Sequence, residues 1–266
     1  MAAEPKIMAV LNVTPDSFAD GGCYFATDDA VKQGLVLIEQ GADIIDVGGE
    51  STRPGAAIVS LEDEIARVIP VVRELAKIVD IPISIDTSKP EVMTLAVQAG
   101  ASMINDVCAL GADGALDAAA ELQVDICLMH KQGNPRNMQD NPVYDDVVGE
   151  IADFFAGRVE ACIAAGIDKN RLILDPGFGF GKTYRHNVEI LRRLKELKIF
   201  NLPLLVGLSR KSMIGQMLGN RAVESRIIGS VSAAIMAVQN GANIVRVHDV
   251  LQTKDALTIL NKVEYD

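Results

Sequence analysis

The feature that most constrains this chain is a pair of segments repeated from end to end. An apolar run rich in β-branched residues comes first, and a helix-length stretch follows it. The strand-like runs are "IMAVLNV" (7–13), "DIIDVG" (43–48), "IPISIDT" (81–87), "SMINDV" (102–107), "DICLMH" (125–130), "LILDPG" (172–177), "LPLLVGLS" (202–209) and "NIVRVHD" (243–249). Between them lie amphipathic stretches such as 61–79, 144–165 and 224–239. A Gly-Ala turn stands before strands at 41, 100 and 241, where glycine accepts the left-handed end of a helix cheaply. Near-continuous apolar strands are strands covered on both faces. Eight such units in 266 residues, with no linker or composition shift, predict one closed (β/α)8 TIM barrel over 1–266. The alternative, an open doubly wound sheet, usually opens with a G-x-G-x-x-G turn, whereas the first turn here reads "NVTPDSFADGG".

A barrel of this kind places its active site at the C-terminal ends of its strands. Those ends carry Asn12, Asp46, Asp86, Asn105 with Asp106, His130, Asp175, Ser209 with Lys211, and Arg246 with His248. Helix capping accounts for some acids, with Asp16, Asp106 and Asp249 the candidates, but not for a ring of eight polar endings. Asp86, Asn105, Asp175 and Lys211 offer short donors and acceptors suited to the edge of an aminopyrimidine-type ring. Arg53, Arg246 and His248, with Asn12 nearby, suit a phosphate or diphosphate carrying Mg2+. Arg246 shares its strand parity with Ile244 and His248, so the three face the same way.

Several functions are disfavoured. A formal charge of −11 speaks against a nucleic-acid surface and makes any anion site a local positive island. No apolar stretch reaches the length of a membrane span, and "MAAEPKIMAV" lacks the parts of a signal peptide, so a cytoplasmic protein is expected. Cys23, Cys108, Cys127 and Cys162 have no C-x-x-C spacing and read as reduced thiols. No H-x-x-x-H or H-E-x-x-H pair marks a transition metal, and no obvious Ser/His/Asp or Cys/His pair marks a nucleophile. "GFGFGK" (177–182) lacks the spacing of a P-loop and reads as a mobile cover that brings Phe180 over the pocket.

Seven motifs in order, "LNVTPDSFADGG" (11–22), "DVGGESTRPGA" (46–56), "SIDT" (84–87), "INDV" (104–107), "DPGFGFGK" (175–182), "GLSRKS" (207–212) and "RVHDV" (246–250), resemble the dihydropteroate synthase family, the folate-pathway enzymes blocked by sulfonamides. The resemblance spans nearly the whole chain and implies the same barrel. It further implies condensation of 6-hydroxymethyl-7,8-dihydropterin diphosphate with p-aminobenzoate, with release of diphosphate. On that resemblance Asp86, Asn105, Asp175 and Lys211 hold the pterin, and Arg246 stacks on it and touches the diphosphate. Asn12 ligates Mg2+, while Arg53 and His248 bind the leaving group. Thr52, Pro54, Phe180 and Ser212 line the p-aminobenzoate site, and Asp20 and Arg53 ride on two mobile loops. A homodimer through barrel helices, 224–239 among them, is also implied. Lys131 stands where the family commonly has an apolar residue and reads as a solvated rim charge. The rival readings are a corrinoid-dependent methyltransferase on a pterin-binding barrel and a catalytically silent paralogue.

Overall fold

The computed structural model describes residues 4–14, 23–51, 58–133, 138 and 141–265. All eight expected strands are present: β1 (Lys6–Asn12), β2 (Ile44–Gly48), β3 (Ile83–Asp86), β4 (Met103–Asp106), β5 (Asp125–Met129), β6 (Leu172–Asp175), β7 (Leu205–Val206) and β8 (Ile244–Val247). Every ladder is parallel, and β1 pairs with both β2 and β8. The order β6-β5-β4-β3-β2-β1-β8-β7 is completed by a bridge between Leu174 and Leu204, so the sheet comes round on itself as the expected TIM barrel.

That seam is thin for a covalent reason. The run expected as a strand over 202–209 keeps only Leu205 and Val206 in β7. Pro203 has no N–H to donate, though its carbonyl accepts from Leu174 N at 2.9 Å.

Helices α1 (Cys23–Glu39), α2 (Leu61–Leu75), α3 (Pro90–Ala99), α4 (Ala115–Glu121), α5 (Val147–Ala164) and α6 (Tyr184–Arg193) each follow their strand. Two helices, α7 (Ser212–Met217) and α8 (Ile227–Gln239), connect β7 to β8, and α9 (Val250–Tyr265) follows β8. Caps set the helix limits more closely than apolar pattern does. Ser60 Oγ accepts from Asp63 N at 3.1 Å to start α2, and Asp146 Oδ1 accepts from Val148 N at 3.2 Å to start α5 three residues later than the apolar pattern suggests. Gly41, Gly100 and Gly241 have φ of 101°, 119° and 101°, as the Gly-Ala turns predict. At Gly100 a Cβ would also strike the side chain of Ala76 at the end of α2.

Strand alternation sorts the apolar residues into two cores. Ile45, Val47, Ile85, Ile104, Ile126 and Leu174 point outward and pack with Val68, Val72, Leu75 and Phe155 of the surrounding helices. Met8, Ile44, Met103, Cys127, Ile173, Leu205 and Ile244 form a separate cluster that fills the barrel interior. The polar strand ends stand on top of that inner plug.

Candidate active site

Strand tilt decides which of those ends meet. Asp46 is level in the ladder with Ser84, and Ser84 with Met103, yet Asp46 accepts a hydrogen bond from Asn105, two residues further along β4, at 3.0 Å. The same two-residue climb leads from Asn105 past Cys127 and Ile173 to Asp175, and from Arg246 past Met8 and Ile44 to Asp46. Asp46, Asn105, Asp175 and Arg246, one from each even-numbered strand, therefore share a layer across the barrel. Two residues below each of them lie Ile44, Met103, Ile173 and Ile244 of the inner plug.

Carboxylates grip the arginine from two sides. Arg246 Nε donates to Asp46 Oδ2 at 2.6 Å, and Arg246 Nη2 donates to Asp86 Oδ2 at 2.7 Å. Burial works against the guanidinium charge, but Asp46 and Asp86 together hold its pKa above the ordinary arginine range. Burial pushes the carboxyl of Asp86 up to about 7, against the pull of Arg246 and with help from the Asp46 charge. Asp46 is fully buried, and its Oδ1, like Ser84 Oγ level with it, has no hydrogen-bond partner among the described residues. Asp46 is a strand end to which the motifs assigned no role. Its parity with Ile44 on a strand buried on both faces is the signal that it points inward.

The exit from β6 is equally determined. Asp175 Oδ1 accepts from Gly177 N at 2.7 Å, and burial, opposed by Lys211, raises the Asp175 carboxyl above its ordinary range. Gly177, Gly179 and Gly181 have φ of 68°, 81° and 63°. At Gly177 a Cβ would also collide with the His130 carbonyl, so glycine is required there twice over. Gly179 N donates to Asn187 Oδ1 at 2.7 Å. Lys182, buried, reaches back to Gly177 O at 2.9 Å and Phe180 O at 3.0 Å. These bonds tie the segment down, where its glycine content suggests a mobile cover. On the pocket side, Lys211 Nζ donates to the Phe178 carbonyl and lies 4.7 Å from the centroid of the Phe180 ring. Burial brings Lys211 down to about 8, against the pull of Asp175.

One recess gathers Asp86, Asn105, Asp175, Phe180, Lys211, Arg246 and His248, with Val107 and Met129 as apolar walls. His248 Nδ1 lies 3.0 Å from Ser209 Oγ, which also accepts from His248 N at 3.2 Å. The fold thus makes a Ser/His pair that the spacing of 39 residues conceals. Asn12 ends β1 half-buried, and Gly48 lies between it and Asp86: a Cβ there would be 3.8 Å from Asn12 Oδ1 and 3.5 Å from Asp86 Cβ. Ser212 is the exposed first residue of α7. Asp16, Asp20, Thr52, Arg53 and Pro54 lie outside the described residues. Just before residues 52–57, Glu50 accepts from Lys89 Nζ at 2.5 Å and from Val59 N, which follows them, at 3.4 Å, and the same lysine pairs with buried Glu64.

Other polar strand ends serve the frame. Asp106 accepts from Ser88 Oγ at 2.5 Å and from Cys108 N and Leu110 N at 2.7 Å, which holds the turn after β4. Asp249 takes Arg210 in a two-point pair, Nη2 to Oδ1 at 2.6 Å and Nε to Oδ2 at 3.0 Å. His130 turns to Lys182, and burial followed by that charge pushes its pKa down to about 3. Lys131 is half-buried rather than solvated, with Nζ 3.0 Å from Cys108 Sγ. An apolar groove between α5 and Phe200 contains one charged residue, Glu160, and no converging polar groups.

A family model described as pterin binding enzyme matches residues 8–248. The dihydropteroate synthase of Escherichia coli (strain K12) is 54% identical over 258 residues, which covers 97% of this chain and 91% of that protein. The solved structure of Xanthomonas albilineans dihydropteroate synthase with 4-aminobenzoic acid aligns with a TM-score of 0.93 and 51% identity, covering 99% of this chain and 94% of that one. The X. albilineans enzyme in complex with 7,8-dihydropteroate aligns with a TM-score of 0.90 and 48% identity, covering 99% and 95%.

Proposed function

The chain belongs to the dihydropteroate synthase family of pterin-binding enzymes, which are transferases, and from that premise we propose how its recess carries out the condensation. The substrates are 6-hydroxymethyl-7,8-dihydropterin diphosphate and p-aminobenzoate, and the products are 7,8-dihydropteroate and diphosphate. The observation that carries this reading is the polar layer over an apolar plug, with one guanidinium gripped between Asp46 and Asp86. Held at Nε and Nη2, Arg246 cannot rotate, and its flat face is available to a flat ring. Asp175, with Oδ1 engaged by Gly177 N, offers its other oxygen to pterin N–H groups. Asn105 and Lys211 add donors at the same edge. Phe180 and Ser212 are assigned to p-aminobenzoate, and Thr52, Pro54, Asp20 and Arg53, outside the described residues, take their roles from the family resemblance alone.

The displacement is dissociative. The bond between the pterin methylene carbon and the diphosphate oxygen breaks first, and its electron pair leaves with diphosphate. The dihydropterin ring spreads the positive charge, so a weakly nucleophilic arylamine can give its lone pair to the carbon and then shed a proton to solvent. His248 and Arg246 receive the growing negative charge, joined by Arg53. When the Ser209 hydroxyl donates to Nδ1, the imidazole carries its proton on Nε2 and can donate it there. Asn12 offers one neutral oxygen beside this chamber, a donor suited to Mg2+, which keeps several waters and otherwise takes phosphate oxygens. Mg2+ held there would supply positive charge for the leaving diphosphate. A homodimer fits the exposed apolar residues Ile228 and Met236 of α8 and Ile259 of α9, 80%, 51% and 67% accessible.

The purified protein should release diphosphate from the pterin substrate in proportion to the dihydropteroate formed when p-aminobenzoate is supplied. A protein that binds pterin but releases no diphosphate under any condition is a binding module, and the reading is then wrong.

A further inference from the structure

The roles above leave Lys182 unassigned, although it is among the most deeply buried charged side chains of the fold, 2% accessible. Its ammonium lies within 2.9 Å of Gly177 O, 3.0 Å of Phe180 O, 2.9 Å of His130 Nδ1 and 3.3 Å of His130 O. Among the described residues no carboxylate is in ion-pair contact with it. A buried ammonium is tolerable only where its hydrogens find acceptors. Here three hydrogens meet four acceptors, two of them carbonyls of the glycine-rich segment after β6. Three glycines leave that segment little conformational preference of its own.

The two carbonyls held by Lys182 bracket the part of the segment that touches the recess. Between them stands Phe178, whose carbonyl accepts from Lys211, and Phe180 itself places its ring 4.7 Å from the same ammonium. One segment is thus held between two lysines, one inside the protein and one in the pocket. We propose that Lys182 is a positioning residue of the pterin site: it shapes residues 177–180 so that the Phe178 carbonyl and the Phe180 ring hold Lys211 in place. The inference rests on the reading of Lys211 as a pterin contact. The charged and titratable groups around the pair are His130 just after β5, Asp175 from β6, His186 from α6, and Asp86 and Arg246 on the far side of Lys211.

A double-mutant cycle separates positioning from bulk support of the fold. The affinity of 6-hydroxymethylpterin is measured by calorimetry for wild type, Lys182→Met, Lys211→Met and the double variant, with folding checked by circular dichroism. Each single change should weaken binding by about tenfold or more, since each removes a charge-assisted contact or what holds it. In the Lys211→Met background the loss of Lys182 should cost little further, because residues acting through one another are not additive. Losses that multiply, or a Lys182→Met protein with wild-type affinity, overturn the proposal. Should Lys182→Met not fold, Lys182→Gln, which keeps two donor hydrogens without the charge, carries the same cycle. If neither folds, Lys182 is a folding element and the positioning role is overturned. A wild-type protein that binds no pterin overturns the pterin reading itself, and this inference with it.

Discussion

Asp46 shows how a residue that need not touch a ligand can shape a site. Its Oδ2 takes both Arg246 Nε and Asn105 Nδ2, so one oxygen fixes a guanidinium plane and an amide orientation together. Its charge also adds to the burial that keeps Asp86 near 7 against Arg246. Asp46→Asn keeps the shape and removes the charge. The Asp86 carboxyl should then titrate lower, as followed by carbon NMR of labelled aspartate, and an Asp86 that still titrates at about 7 would show that Asp46 plays no electrostatic part. Arg246 and Lys131 make a second comparison. Arg246→Ala strands two carboxylates and removes the flat cation, so kcat/KM should fall at least about tenfold, the scale of a charge-assisted hydrogen bond. Lys131→Ala removes a lysine that meets Cys108 away from the recess and should leave kcat/KM near wild type. Equal losses would mean that the recess has been drawn too small.

Among the elements, the segment joining β6 to α6 is where glycine content misleads. Three glycines there suggest mobility, yet each lies at positive φ and the segment is bonded at both edges. Gly177→Ala would cost about 1–2 kcal/mol for the left-handed backbone alone, and more for the collision with the His130 carbonyl. Gly157, exposed within α5, is the opposite case, with nothing within 4 Å of the place a methyl group would take. Gly157→Ala should stabilise the protein by up to about 1 kcal/mol. Urea melts of the two variants should therefore shift in opposite directions, and a shared direction would refute the assignment of strain to residue 177. The β7–β8 connection was legible only in part: "GLSRKS" signals a functional loop, but the six-residue helix α7 that begins at Ser212, after a Lys211 that gives no side-chain cap, carries no local signal.

For the molecule as a whole, buried titratable groups pull stability in different directions as pH changes. Asp86, raised to about 7 chiefly by burial, binds its proton more tightly folded than unfolded; its contribution is full below about 4 and gone above about 7. His130, lowered to about 3 by burial and then by Lys182, loses its contribution as pH falls from about 6.5. The two oppose each other in weak acid. Above neutrality Lys182, lowered to about 7 by burial against Asp175 and with help from Lys211, holds its proton less tightly than the unfolded chain does, so stability rises with pH. Lys211, lowered to about 8 by burial against Asp175, adds to the rise. Burial raises the thiols of Cys127 and Cys162, which oppose the rise only as unfolded thiols ionise near 9. Calorimetric Tm should therefore climb between pH 7 and about 8.5, and Lys182→Met should remove much of the climb. A wild-type Tm that is flat or falling over that range would contradict the burial of an unpaired ammonium.

Strand number, barrel closure and the rim of polar ends were determined by the sequence alone, because strand alternation and the repeat of strand and helix are local and survive any error in helix limits. The motifs likewise carried Asp86, Asn105, Asp175, Lys211, Arg246 and His248 to one recess. Only the tertiary structure decided which neighbours those residues have. The stagger between strands brings Asp46 to Asn105 and Arg246, residues 59 and 200 positions away, while the level β7–β8 register sets Ser209 beside His248. It also turned Lys182, one more cation in the sequence, into a buried support, because burial is a property of what packs around a side chain and no local pattern encodes it.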